Sequence, residues 1–181
     1  MDILFNDTEI AFRDKSTYEL KRARLLFRLM SHAGLVRAGA AGLRLVRRLR
    51  IPYAWALRSN VFAHFCGGQT IEDCHKAIRR LEASGVLTIL DYSAEGKEQE
   101  EDFETSKQEI LATIRLAVND SAVPYAVFKP TGLAPFALLE KIQSSAPLSA
   151  DEKISRDLFL ARIESIAGLA SETGVPVMVD A

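Results

Sequence analysis

The sequence is poor in cysteine and tryptophan and has no surplus of charge. Two cysteines in 181 residues, Cys66 and Cys74, build no disulfide framework and fit a reducing compartment. With only three histidines beside them, they are too few and too widely spaced for a zinc site. The formal net charge is −1, so no overall field steers partners. No apolar run reaches the ~18 residues of a membrane-spanning helix. Asp2, Asp7 and Glu9 argue against a secretory signal and against an acid-poor transit peptide.

What is present is an ordinary globular composition, 48% hydrophobic and 26% charged, of a length that suits one domain or slightly more. The charge is segregated along the chain. Residues 21–50 carry Lys21, Arg22, Arg24, Arg28, Arg37, Arg44, Arg47, Arg48 and Arg50 without one acid. Residues 95–104 carry Glu95, Glu98, Glu100, Glu101, Asp102 and Glu104 against Lys97. The basic stretch reads first as a solvated face of helices, with an anionic membrane surface, nucleic acid or an acidic partner as sharper alternatives. The acidic stretch reads as a solvated loop.

Two parts are expected: a helical, basic segment over 1–66 and an alternation of helices and strands over 67–181. In the first, Ser16–Met30 and residues 35–50 have helical spacing, Pro52 breaks the pattern, and Tyr53–Phe65 suits a short helix. In the second, Thr70 with Asp73 forms a capping box ahead of Ile71, Cys74, Ile78 and Leu81, and Gly85 closes that helix. Val86–Leu90 is an apolar run of the kind found in buried parallel strands. A helix over 104–118, a strand over 123–128, a helix over 135–142, a helix over 151–173 capped by Gly174, and a strand over 175–179 follow.

Each of the three strand candidates ends in an ionisable residue: Asp91, Lys129 and Asp180. Strands that alternate with helices run parallel, so all three residues fall at one rim. A charge at the end of a buried run is costly unless paired, hydrated or bound. Taken singly, Asp91 suits a turn residue and Lys129 a solvated strand end. Together, two carboxylates and an ammonium at the carboxyl ends of parallel strands have the makings of a small-molecule site.

Four segments carry a family resemblance: Gly67-Gly68-Gln69-Thr70, Thr88-Ile89-Leu90-Asp91-Tyr92-Ser93, Val127-Phe128-Lys129-Pro130-Thr131-Gly132-Leu133, and Val177-Met178-Val179-Asp180-Ala181. In this order and spacing they resemble the proline dehydrogenase family, in the form shared by eukaryotic and some bacterial enzymes. The resemblance implies an α/β fold, the first three or so units of a distorted (βα)8 barrel, behind an N-terminal helical segment. It implies FAD as cofactor, L-proline as substrate, Δ1-pyrroline-5-carboxylate as product and a quinone as electron acceptor. On it, Lys129 holds the proline carboxylate, Asp180 is the catalytic-site aspartate, Ala181 touches FAD through its backbone, and Asp91 orders the pocket floor. Gln69 departs from the pattern, standing where many relatives have Glu, which removes a charge at the barrel mouth. Most FAD contacts and the arginines that grip the substrate belong to later strands of that family. The 181 residues are therefore expected to be inactive alone, as an N-terminal fragment. The resemblance also implies peripheral membrane association with no nucleic-acid partner, in the cytoplasm of a bacterium or the mitochondrion of a eukaryote.

Two other readings stand beside it. Lys129 could be the Schiff-base amine of a barrel lyase or aldolase, with Asp91 or Asp180 shuttling protons. Residues 21–50 could make the chain a non-enzymatic helical adaptor. His64, His75, Cys66 and Trp55 read as packing or surface residues.

Overall fold

The computed structural model describes residues 6–49, 62–92, 96 and 98–180. Pro52 and most of the expected helix over 53–65 lie outside the described residues. Two compact units divide the chain after Arg80.

The first unit is helical. A short α1, Thr8–Ala11, precedes α2, Thr17–Met30, and α3, Ala33–Arg48. A single helical turn, α4, spans Ala63–Phe65, and α5 spans Ile71–Glu82, ending just past the boundary. α2 begins where its sequence dictates. The Ser16 hydroxyl accepts from the Glu19 N–H, and the Glu19 carboxylate accepts from the Ser16 N–H at 2.7 Å. Arg80 reaches back from α5 to donate to Glu19 at 2.8 Å and to Asp14 at 3.2 Å. Phe27 meets His64 and Phe65 edge to face. At the head of α5, the Asp73 N–H donates to the Thr70 hydroxyl, and the Asp73 carboxylate accepts from the Gln69 N–H. Gly68 is needed there, because a Cβ on it would sit 2.5 Å from Asp73 Cβ and 2.7 Å from the Cys74 nitrogen.

The Ser16 backbone and hydroxyl, then Arg80, hold the Glu19 carboxyl down at about 2. A carboxylate depressed in the folded state contributes stability above its ordinary value of 4.5, and that contribution fades as pH falls toward 2. Glu19→Gln is therefore expected to weaken α2 at neutral pH, by about 1 kcal/mol or less for a capping contact. It should also flatten the loss of helix signal between pH 5 and pH 2, measured by circular dichroism. An unchanged acid transition sinks this assignment.

The second unit is built on parallel strands. Gly85, at φ +76°, turns the chain out of α5. α6 spans Glu100–Asn119, β1 Ala126–Phe128, a 3-10 turn Pro130–Gly132, α7 Phe136–Gln143, α8 Ala150–Thr173 and β2 Val177–Val179. β1 pairs in parallel with β2, Ala126 opposite Val177 and Phe128 opposite Val179. On the other side of β1, Leu90 makes an isolated parallel bridge to Ala126. Gly174, at φ +70°, ends α8. The core joins Ile110 and Ile114 of α6, Ala126 and Phe128 of β1, Leu133, and Ile166 of α8.

Two expectations need correction. Val86–Leu90 is extended but forms no regular strand. Val86, Leu87 and Ile89 are exposed, and the Thr88 N–H bonds to the Ala122 carbonyl outside the ladder, so only Leu90 reaches register. The other two strands are likewise shorter than read from the apolar runs, three residues each. The acidic stretch is not a loop throughout. Its last five residues, 100–104, are the first turns of α6, because Glu100, Glu101 and Asp102 sit where the helix dipole favours negative charge. The mostly helical α/β character stands.

Candidate functional site

Side chains alternate along a strand. Ala126, Phe128 and Val177 enter the helix-covered core, so Val127 and Met178 belong to the opposite face. Lys129 and Asp180 continue that face one step past the strands. Leu90 pairs with Ala126, which puts Asp91 on the same side. The backbone clamps this register: the Ala126 N–H donates to the Pro176 carbonyl, and the Asp180 N–H to the Phe128 carbonyl at 3.0 Å. Pro130 keeps Lys129 extended, at φ −103° and ψ 130°, before the 3-10 turn.

The three ionisable residues read from sequence therefore meet. Lys129 Nζ lies 3.5 Å from an Asp91 carboxylate oxygen and 3.7 Å from one of Asp180. Lys129 is the most enclosed of the three, its side chain 27% exposed against 38% for Asp91 and 59% for Asp180. A depression of about 610 Å³ opens beside them, bounded by Lys129, Asp180 and the Phe136, Leu139, Glu140 and Gln143 side of α7. That volume suits a small molecule. A separate depression of about 640 Å³ in the first unit, between Phe12, Leu20, Phe27 and His64, holds no strand end. Gln69 is exposed and belongs to the first unit, where its N–H serves the α5 cap. Ala181 lies outside the described residues.

Sequence reading missed what holds the loop after Lys129. Arg162 of α8 is 5% exposed and donates to the Leu133 carbonyl at 2.9 Å. It also pairs with Glu100, faces Glu104, and lies over the Phe103 ring at 5.7 Å. The signal was available in part: acids in the first turns of α6, and an arginine set among the inward positions Phe159, Ile163 and Ile166 of α8. The Glu140 and Phe136 wall had no comparable signal, since it depends on how α7 is set against the rim.

Two short parallel strands, helices over one face and a charged cluster at the strands' carboxyl ends define an α/β protein with a candidate site at the rim. No protein-family model matches the chain. Proline dehydrogenase 1, mitochondrial, of Caenorhabditis elegans is 32% identical over 135 residues, 72% of this chain and 22% of that protein. Its Drosophila melanogaster counterpart is 33% identical over 119 residues, 65% of this chain and 17% of that protein. The carbapenem antibiotics biosynthesis protein CarD of Pectobacterium carotovorum is 28% identical over 125 residues, 69% of this chain and 33% of that protein. The chain is thus related to the proline dehydrogenase family, and it spans a third or less of the length of these three relatives.

Proposed function

We propose that this chain carries the substrate-holding strands of a site that oxidises L-proline to Δ1-pyrroline-5-carboxylate, with FAD as cofactor and a quinone as final electron acceptor. The observation behind it is the Lys129 ammonium between Asp91 and Asp180 on the sheet face that the helices leave open. A zwitterionic amino acid offers a carboxylate and an ammonium a few ångströms apart, which suits Lys129 beside Asp180. Lys129 holds the carboxylate, Asp180 faces the reacting end, and Asp91 orients Lys129 from below.

The same residues do not fit the cofactor. Two carboxylates against one ammonium leave the cluster at a formal −1, which repels a diphosphate. Of the described residues lining the depression, Lys129 is the one cation, and Glu140 adds a further carboxylate. FAD is therefore held by other parts of the protein, and Ala181 remains a candidate contact. Exposed Leu87, Ile89 and Met178 favour a sheet that continues into a partial (βα)8 barrel, since bare apolar strand faces otherwise invite aggregation. In this reading residues 1–66 are a helical appendage, residues 67–181 begin the barrel, and these 181 residues alone do not turn over proline. A eukaryotic host would put the protein in the mitochondrion, as the names of two relatives say of theirs.

The Schiff-base alternative finds less support. A nucleophilic lysine is made by an apolar or cationic setting, and Lys129 sits between two carboxylates. The test is proline-dependent reduction of a quinone analogue by the protein expressed from its native reading frame. A yellow, FAD-loaded preparation that leaves proline untouched overturns the reading, as does a borohydride-trapped adduct of a carbonyl substrate on Lys129.

A further inference from the structure

Helix α2 gathers an aromatic and cationic wall that the strand-end cluster does not use. Leu20, Ala23, Arg24 and Phe27 follow one another at three- and four-residue spacing, so they share one face of the helix. With Phe12 and Lys15 from the turn after α1, His64 from α4 and Arg80 from α5, that face lines the depression of about 640 Å³ in the first unit. Phe12 is 48% exposed and Phe27 52%, so ring surface lies bare along it. Lys15, Arg22, Arg24 and Arg80 line it against one acid, Glu19. That acid is already engaged, accepting from the Ser16 N–H and hydroxyl and from Arg80. α3 lends no residue to the lining, and its Leu35, Leu45 and Leu49 stay exposed.

We infer that this depression binds an aromatic carboxylate, about two fused rings bearing one acid group. Charge complementarity selects the acid. Asp14 offsets Lys15 and Arg80 at 3.1 and 3.2 Å, and even with it counted the lining keeps a formal charge of +2. The rings select the body. Phe27 already meets His64 edge to face, with centroids 5.3 Å apart, and a guest ring extends that packing. A guanidinium also stacks on an aromatic face, which an alkyl chain does not offer. An inorganic anion would engage the cations and leave the rings in water. The volume lies in the range of small-molecule sites.

Isothermal titration of the protein with 1-naphthoate tests this. One equivalent should bind saturably, with a Kd that rises with salt. 1-Naphthalenemethanol keeps the rings without the charge, and undecanoate keeps the charge and carbon count without the rings. Each should bind roughly tenfold more weakly or worse. Lys15→Gln with Arg24→Gln should weaken naphthoate binding on the order of tenfold to a hundredfold, and Lys15→Arg with Arg24→Lys should keep it. Phe12→Ser should weaken it about tenfold at constant charge. These three positions are exposed, and circular dichroism checks that helix content is kept. The ligand comparison uses the unaltered chain and stands whatever the variants do. Absence of saturable binding at millimolar naphthoate overturns the inference. So does equal affinity for the alcohol or for undecanoate, displacement of naphthoate by equimolar inorganic phosphate, or binding that survives either the charge or the ring substitution. The lining lies in the unit 1–80 and the charged cluster in 81–181, so naphthoate binding and proline oxidation are lost or kept independently.

Discussion

On the proposed function, Lys129→Met is expected to cut kcat/KM for proline by about a hundredfold in the protein expressed from its native reading frame. Two terms add. The first is the charge-assisted bond from the ammonium to the substrate carboxylate, about 1.5–3 kcal/mol. The second appears only after substitution: Asp91 and Asp180, now without a cation between them, repel that carboxylate. At an effective dielectric of 20 and about 5 Å, one such pair costs about 3 kcal/mol, and the exposure of both aspartates reduces it. A total near 3 kcal/mol corresponds to the hundredfold figure. The second term makes the prediction specific. Asp91→Asn added to Lys129→Met should recover about tenfold, because it removes one repulsive charge. Asp91→Asn alone should lower activity, since it loosens Lys129. Steady-state kinetics on the four proteins decide it, and near-normal turnover by Lys129→Met would remove Lys129 from the site.

Arg162→Ala should cost about 3 kcal/mol of stability, read from urea denaturation of the chain. Its guanidinium is nearly enclosed, and burial opposes its charged form, so it persists only because its partners repay it. Truncation orphans the carbonyl of Leu133, a fully buried residue, at about 1–3 kcal/mol. It removes the cation from the Phe103 ring, about 1 kcal/mol, and leaves a void beside it. Glu100 and Glu104 are half exposed and rehydrate, which keeps the loss below that of a fully buried pair. Arg162→Lys should rescue little, because one ammonium cannot serve a carbonyl, two carboxylates and a ring. Arg162→Met should recover the packing part alone. The turn that Arg162 anchors follows Lys129, so KM for proline should rise with the stability loss. A variant that melts normally would show the arginine to be a bystander.

Much of this was legible along the chain. The capping box at Ser16 and Glu19 is there by residue type alone, as are the Thr70 cap and the Gly85 and Gly174 turns. The inward stripes of α6 and α8 follow from 3.6-residue periodicity, and Phe103, Ile114 and Ile166 are buried. The convergence of Asp91, Lys129 and Asp180 was legible because parallel strands have only one carboxyl end. Val86–Leu90 was misread because an apolar run specifies a strand only when neighbours cover it. The acids at 100–104 were misread because a charge run looks the same in a loop and at a helix start.

Sequence by itself determined where helices begin and end, and which three charged residues share a rim. These depend on local hydrogen bonds, on spacing and on the polarity of a parallel sheet. Tertiary structure alone decided that Arg162 is enclosed beneath the Lys129 turn, that α7 walls the depression, and that the leucines of α3 stay bare. Those outcomes depend on which distant segments come into contact, and no short-range pattern encodes that.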